Sequence, residues 1–265
     1  MKLSDVIGPR FWQGGELLMN AVSAGLNPDV RIVRKVCQNL DIDTGTVPED
    51  LWDIGGLYTG FPPGTQTPEK FSIVSDSAND TAAGSGARTV RIFGLDSDWN
   101  ELDETVTMNG TTPVLTTNTY RRFIRAQVIS SGGSVANTNF NAGNITGTYE
   151  TTTANVFFRM PAGFGATRDG NYTVPLGWSG LLVRIRVEID RATTAACEGD
   201  IYYKPNGSSP RLIRPWTVSN SLNFIDTLIG GVPLVEKADI IPRCRIASAN
   251  NVKMYASYQI LLYRP

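Results

Sequence analysis

The sequence predicts a mainly β protein: an antiparallel β-sandwich of jelly-roll-like type, built as two β modules behind an extended N-terminal arm. Three observations carry this. About a dozen short segments alternate apolar and polar residues, the two-residue period of a strand with one buried face. Between them cluster Gly, Pro, Asn, Asp and Ser, the residues that make turns. Helical periodicity is confined to one short stretch near the N-terminus. A chain of 265 residues admits one large β domain or two small ones.

The arm covers residues 1–47. Gly14 to Ala24 reads as a short helix ending near Gly25, and Asn27-Pro28-Asp29 as a turn. Val30 to Leu40 reads as a strand in which Arg31, Arg34 and Lys35 interrupt Ile32, Val33 and Val36. Such a segment either drapes over a neighbouring subunit or serves as a terminal strand of its own domain, and the sequence leaves both open.

The first module, 48–147, opens on the aromatic, glycine-rich stretch Leu51 to Phe61, with a loop at Pro62-Pro63-Gly64. Phe71 to Ser75 and Arg88 to Leu95 alternate, Asp96 to Asn100 turns the chain, and Leu102 to Met108 returns. Asn109-Gly110 is a strong two-residue hairpin signal. Thr112 to Thr119 and Tyr120 to Ile129 supply the next pair of strands, and the polar stretch Ser130 to Gly147 marks the boundary. In the second module, 148–265, Asn155 to Met160 is closed by Pro161-Ala162-Gly163. Leu181 to Ile189 is the most regular segment, placing Val183, Ile185, Val187 and Ile189 on one face and Arg184, Arg186 and Glu188 on the other. Asp200 to Lys204 pairs with Arg211 to Trp216 across Pro205-Asn206-Gly207; Ile240 to Ile246 and Val252 to Tyr263 close the chain.

Composition excludes several function classes. Charged residues make up 18% and hydrophobic ones 41%, against about 25% charged in ordinary soluble domains. The remaining surface is Thr, Ser, Asn and Gly, which suits close uncharged contacts between subunits. With 24 basic and 25 acidic residues there is no basic excess for holding phosphates, so no direct nucleic-acid partner is expected. No run approaches the roughly 18 apolar residues that span a bilayer, and no membrane partner is expected. Met1-Lys2-Leu3-Ser4-Asp5 leads to Gly8-Pro9-Arg10 rather than to the apolar run of a signal peptide. Folding in a host cytoplasm is the expectation.

The chain has no histidine, which removes the commonest general base and transition-metal ligand. The densest acidic stretch is Asp96, Asp98, Glu101, Asp103 and Glu104. Its opening resembles a calcium loop, yet Glu101 stands where that loop needs Gly and Thr107 where it needs Glu; a solvated turn between strands is the simpler reading. Ala83-Gly84-Ser85-Gly86 lacks the Lys-Ser/Thr of a phosphate loop. Cys37, Cys197 and Cys244 form no CxxC pair and read as buried free thiols. Trp12, Trp52, Trp99, Trp178 and Trp216 read as core or subunit contacts, with Trp99, in a turn, the best candidate for an exposed sugar-stacking ring. Arg121-Arg122 beside Tyr120 and Phe123 is too small for a nucleic-acid patch. The sequons at Asn79, Asn109 and Asn171 carry little weight without a secretory signal. No catalytic, cofactor-binding or metal-ligating residue is assigned, no cofactor is expected, and the protein is read as a non-enzyme.

One region carries a resemblance. Asp50-Leu51-Trp52-Asp53-Ile54-Gly55-Gly56-Leu57-Tyr58, then Val74 to Val90 through Asn79-Asp80-Thr81 and Gly84-Ser85-Gly86, then Ile92 to Glu101 and Glu104 to Thr112, resemble a family of virion structural proteins of tailed phages and related viruses of aquatic microbes. Glu236-Lys237-Ala238-Asp239-Ile240 and Ala247-Ser248-Ala249-Asn250-Asn251 are similar to that family's C-terminal half. The resemblance covers about residues 48–130 and 150–265. It implies a virion address without a defined chemistry. The role expected from it is a capsid decoration, cement or head-vertex protein that assembles as a homo-oligomer, trimer or pentamer, on the major capsid protein or other virion proteins. A tail, neck or fibre component, or a glycan- or receptor-binding module, is the alternative.

Overall fold

The computed structural model describes residues 27–62, 67–132, 140–190, 194–219 and 223–265. Among these there is no helix, and the structure is all-β. In chain order the strands are β1 (Val30–Ile42), β2 (Glu49–Asp50), β3 (Glu69–Ser75), β4 (Ala87–Leu95), β5 (Glu101–Thr107), β6 (Val114–Tyr120), β7 (Arg122–Ser131) and β8 (Ile145–Tyr149). They continue as β9 (Val156–Met160), β10 (Tyr172–Thr173), β11 (Ser179–Ile189), β12 (Ala196–Lys204), β13 (Arg211–Ser219), β14 (Phe224–Leu234), β15 (Asp239–Ala247) and β16 (Val252–Tyr263). The short helix read at Gly14 to Ala24 lies outside the described residues.

Four antiparallel sheets form two sandwiches. The first places β6-β3-β8-β9 over β5-β4-β7, around a core that includes Phe71, Ile92, Tyr120, Phe123, Tyr149, Phe157 and Phe158. Its aromatic rings stack closely: Phe71 lies 4.6 Å from Tyr120, and Phe123 4.6 Å from Phe158. The second places β1-β16-β11-β14 over β10-β15-β12-β13, with β2 attached to β15. Cys37, Leu182, Ile185, Trp216, Ile240, Tyr258 and Ile260 lie in its core.

Three expectations are corrected here. Residues 30–42 are no free arm: β1 pairs with β16 from Val30↔Tyr263 to Ile42↔Val252. Its alternation turns Val33 and Cys37 to the core of the second sandwich, so the terminal-strand reading holds for this segment. The boundary between sandwiches is not the glycine-rich stretch at 130–147. β8 pairs with β3 (Ile73↔Gly147) and with β9 (Ile145↔Met160), so this hairpin completes the first sandwich and the chain leaves it after Met160. Asn109-Gly110 does not join paired strands either. β5 and β6 belong to different sheets, and Gly110, at φ +61°, carries the chain from one to the other.

Elsewhere the expected pairing is found: Leu95↔Glu101 closes β4 on β5, and Tyr203↔Arg211 closes β12 on β13. In β11 a bulge between Leu182 and Arg184 shifts the alternation. Leu182, Ile185 and Val187 take the inward places, and Val183 turns outward beside Val30, Ile32, Leu181, Leu261 and Tyr263.

The sandwiches are joined by polar contacts around the aromatic stretch 51–61. Trp52, Tyr58 and Phe61 pack between Val156 of the first sandwich and Ile241 and Tyr202 of the second. The Tyr58 hydroxyl donates to the Phe157 carbonyl at 2.9 Å, and Asn171 Nδ2 to the Phe123 carbonyl at 2.7 Å. Arg122 of β7 meets Asp239 of β15 in a buried fork, Nε to Oδ1 at 2.9 Å and Nη2 to Oδ2 at 3.0 Å.

Candidate functional site

The acidic stretch is placed by the β4–β5 hairpin, whose alternation sends its carboxylates to different neighbours. Asp96 Oδ1 accepts the amides of Asp98 and Asn100, capping its own turn. Glu101 pairs with Arg31 at 2.7 Å and Asp103 with Arg91 at 2.7 Å. Glu104 accepts the amides of Thr117 and Asn118 and the Asn118 side-chain NH₂. The stretch is a set of separate contacts. No group of three or more Cys, Asp or Glu side chains among the described residues is arranged to hold a metal ion.

Trp99, read with the other tryptophans as a core or subunit contact and as the best candidate among them for exposure, is buried at 7% exposure. The reason is tertiary: its carbonyl accepts the Leu176 amide from the second sandwich, and Arg121 and Arg122 lie 5.3 and 5.0 Å from its ring centre. Trp52, Trp178 and Trp216 are also buried, so these four make no sugar-stacking face; Trp12 lies outside the described residues. Arg122 is buried on Asp239, while Arg121 Nε donates to the Ser97 carbonyl at 3.1 Å. Cys37, Cys197 and Cys244 are free and buried, as expected. Of the sequons, Asn171 is fully buried.

The Val74–Val90 motif acquires a physical role that its wording did not reveal. Asp80 is completely buried, yet both its oxygens are satisfied. Oδ1 accepts the amides of Ala87 at 2.6 Å and Ala142 at 2.7 Å; Oδ2 accepts the Ser75 hydroxyl at 2.6 Å and the Gly143 amide at 2.9 Å. One carboxylate thus ties the 76–86 loop to the 140–144 segment. Gly86 belongs to this arrangement because a Cβ there would collide with Asp80 Oδ1 and Ala142.

A second polar cluster sits where β1 meets both sandwiches. Gln38 Nε2 donates to Asp53 Oδ1 at 2.7 Å, Arg168 Nη1 to Gln38 Oε1 at 3.2 Å, and the Asp53 amide to Asp169 Oδ1 at 3.3 Å. Lys35 Nζ donates to the Ile124 carbonyl at 2.7 Å. Burial pushes the Asp53 carboxyl up to about 6. Burial first, and then the Asp53 charge, hold Asp169 well above the carboxylate range. Burial lowers Lys35 and pushes the Cys37 thiol up to about 12. Perturbed groups of this kind mark active sites when a cleft exposes them. Asp169 is only 1% exposed, and the cluster ties β1 to the turn at Asp53 and to Arg168 and Asp169. Sequence reading missed it because nothing local pairs residues 35–53 with 168–169.

A cleft of about 470 Å³ opens beside this cluster, between β1 and the β5-β4-β7 sheet. Arg31, Lys35, Phe93, Glu101, Arg125 and Tyr172 are among the residues that line it. Arg31 lies 4.3 Å over the Trp178 ring and Arg125 4.1 Å over Phe93. Burial raises the Tyr172 phenol and keeps it neutral.

Compared with protein-family models and with curated proteins, the chain matches none.

Proposed function

We propose that the protein is a non-enzymatic structural component of a virion, a capsid decoration, cement or head-vertex protein that assembles with copies of itself. The observation that carries the assembly reading is an apolar patch at the edge of the second sandwich. Pro48, Pro210, Leu212 and Tyr202 line a depression of about 360 Å³, rimmed by Arg211, Arg243 and Arg245. Leu212 is 46% exposed, and Arg243 stacks 4.3 Å over Tyr202. An apolar centre with aromatic and arginine neighbours has the composition of a protein contact. β13 is the outer strand there. Pro215, within it, lacks an amide to donate, which discourages open-ended strand pairing and favours a closed ring such as a trimer or pentamer. The non-enzymatic reading is supported by the missing histidine and by the engagement of the acidic stretch in structural contacts. The virion setting rests on the resemblance of residues 48–130 and 150–265.

Quantitative mass spectrometry of purified particles tests the proposal. A copy number of the same order as the major capsid protein supports a shell-wide decoration role. A few copies per particle would move the protein to a vertex, neck, tail or fibre, and absence from particles would overturn the virion reading.

A further inference from the structure

We propose that the cleft between β1 and the β5-β4-β7 sheet is a docking site for an extended acidic segment of a partner protein, one carboxylate of which enters between Arg125 and Tyr172. The inference rests on the assembly reading only for the partner's identity, since binding can be measured on the isolated chain.

Three features argue for this ligand. The first is charge. Arg31, Arg34, Lys35 and Arg125 line the cleft against Glu101 and Asp103, and both acids are already engaged, Glu101 with Arg31 and Asp103 with Arg91. Lys35 is spent on the Ile124 carbonyl. Arg125 is exposed, lies on the Phe93 ring, and makes no ion pair with a described residue. Its guanidinium is held flat by the ring and offers a fork suited to a carboxylate.

The second feature is unused hydrogen-bonding capacity. The Tyr172 hydroxyl is only 2% exposed; the Arg31 side chain lies against its oxygen, and its proton meets no acceptor among the described residues. Orphaned polar atoms of this kind cost stability unless something completes them. A hydroxyl whose oxygen faces a guanidinium still has its own proton to donate, so what completes it is an acceptor oxygen. The third is backbone. β1 and β5, on the two sides of the cleft, are each the outer strand of their sheet. An extended peptide finds main-chain groups there to pair with, while the apolar walls of Val33, Leu102 and Ile124 receive its alternate side chains.

The test uses the full chain and a blocked peptide of alternating Val and Glu, with its Val/Gln counterpart as control. Tryptophan fluorescence reports binding, because Trp178 lies under Arg31. The expected result is saturable binding of the Val/Glu peptide, weakened by salt, and at least about tenfold weaker binding of the Val/Gln peptide. Arg125→Glu, an exposed change, abolishes binding while the thermal midpoint and circular dichroism stay unchanged. Tyr172→Phe weakens binding without removing it. Equal binding of both peptides, or undiminished binding to R125E, overturns the proposal. So does equally strong competition by acetate, which reduces the cleft to a simple anion site. If R125E instead dissolves a homo-oligomer in light scattering, the occupant is a second copy and the foreign partner is excluded. None of these outcomes alters the particle copy number, so this site and the virion reading fail separately.

Discussion

Replacing Asp239 by Asn isolates the contact that joins the two sandwiches. Arg122 and Asp239 have side chains only 2% and 3% exposed, and the fork between them is bidentate. Asp239 Oδ1 also accepts the Thr173 hydroxyl at 2.7 Å. In D239N the guanidinium stays buried against a neutral amide whose NH₂ faces a donor. Breaking a buried pair from one side costs about 3–5 kcal/mol, because the remaining charge is uncompensated. By contrast, the Arg91–Asp103 pair is exposed, 42% and 40%, and solvent screens most of its attraction. For a chain of this size about 2–4 °C of thermal midpoint accompanies each kcal/mol, so D239N should melt roughly 6–20 °C lower. D103N should move the midpoint by no more than a few degrees. Calorimetry gives the midpoints, and the double variant R122M/D239L completes the cycle. It should recover at least half of the loss, since an apolar pair of similar volume avoids the desolvation cost. A D239N midpoint within about 2 °C of the wild type, or a double variant as unstable as the single one, would refute the reasoning.

Two further predictions concern the carboxylates of Asp80, which is buried, and Asp53, which is half-buried. Asp80→Ala leaves the amides of Ala87, Ala142 and Gly143 without their acceptor, and should cost about 3–5 kcal/mol in urea unfolding; a loss below about 1 kcal/mol would show that water replaces the carboxylate. Asp53→Asn should change the pH dependence of stability. The Asp53 carboxyl rises from 3.8 to about 6 on folding, through burial, so the folded state holds the proton more tightly. Its contribution is fully present below pH 4 and is lost as pH rises towards 6. The variant keeps no such slope and should gain on the wild type by at most about 3 kcal/mol between pH 4 and 7. A stability difference that stays flat across that range would place Asp53 in a wetter setting.

Legibility in the sequence followed the range of the interaction. Strands such as β4, β11 and β16 were readable because alternation is a property of neighbouring residues. β8 was not, since Ile145-Thr146-Gly147-Thr148-Tyr149 sits in a polar, glycine-rich stretch; Gly147 is there because the Phe158 ring occupies the place of its side chain. β14 was missed as well, its pattern broken by Gly230 and Gly231, the latter at φ +68°. Trp99 lies in the core, but what covers it was not legible, since its turn looks exposed until the second sandwich closes over it. The cleft and its lining could not be anticipated, since β1, β5, β7 and β10 contribute residues from Arg31 to Tyr172.

By itself the sequence determined the β class, the positions of most strands and turns, and the burial of the three thiols. These follow from local alternation and from turn chemistry at Gly, Pro, Asn and Asp. Only the tertiary structure decided that β1 closes against β16, that the β8–β9 hairpin belongs to the first sandwich, and which charges go inside. Burying a charge is tolerable only opposite its partner. Arg122 and Asp239 stand 117 residues apart, so that partner is chosen by the fold and not by any neighbouring residue.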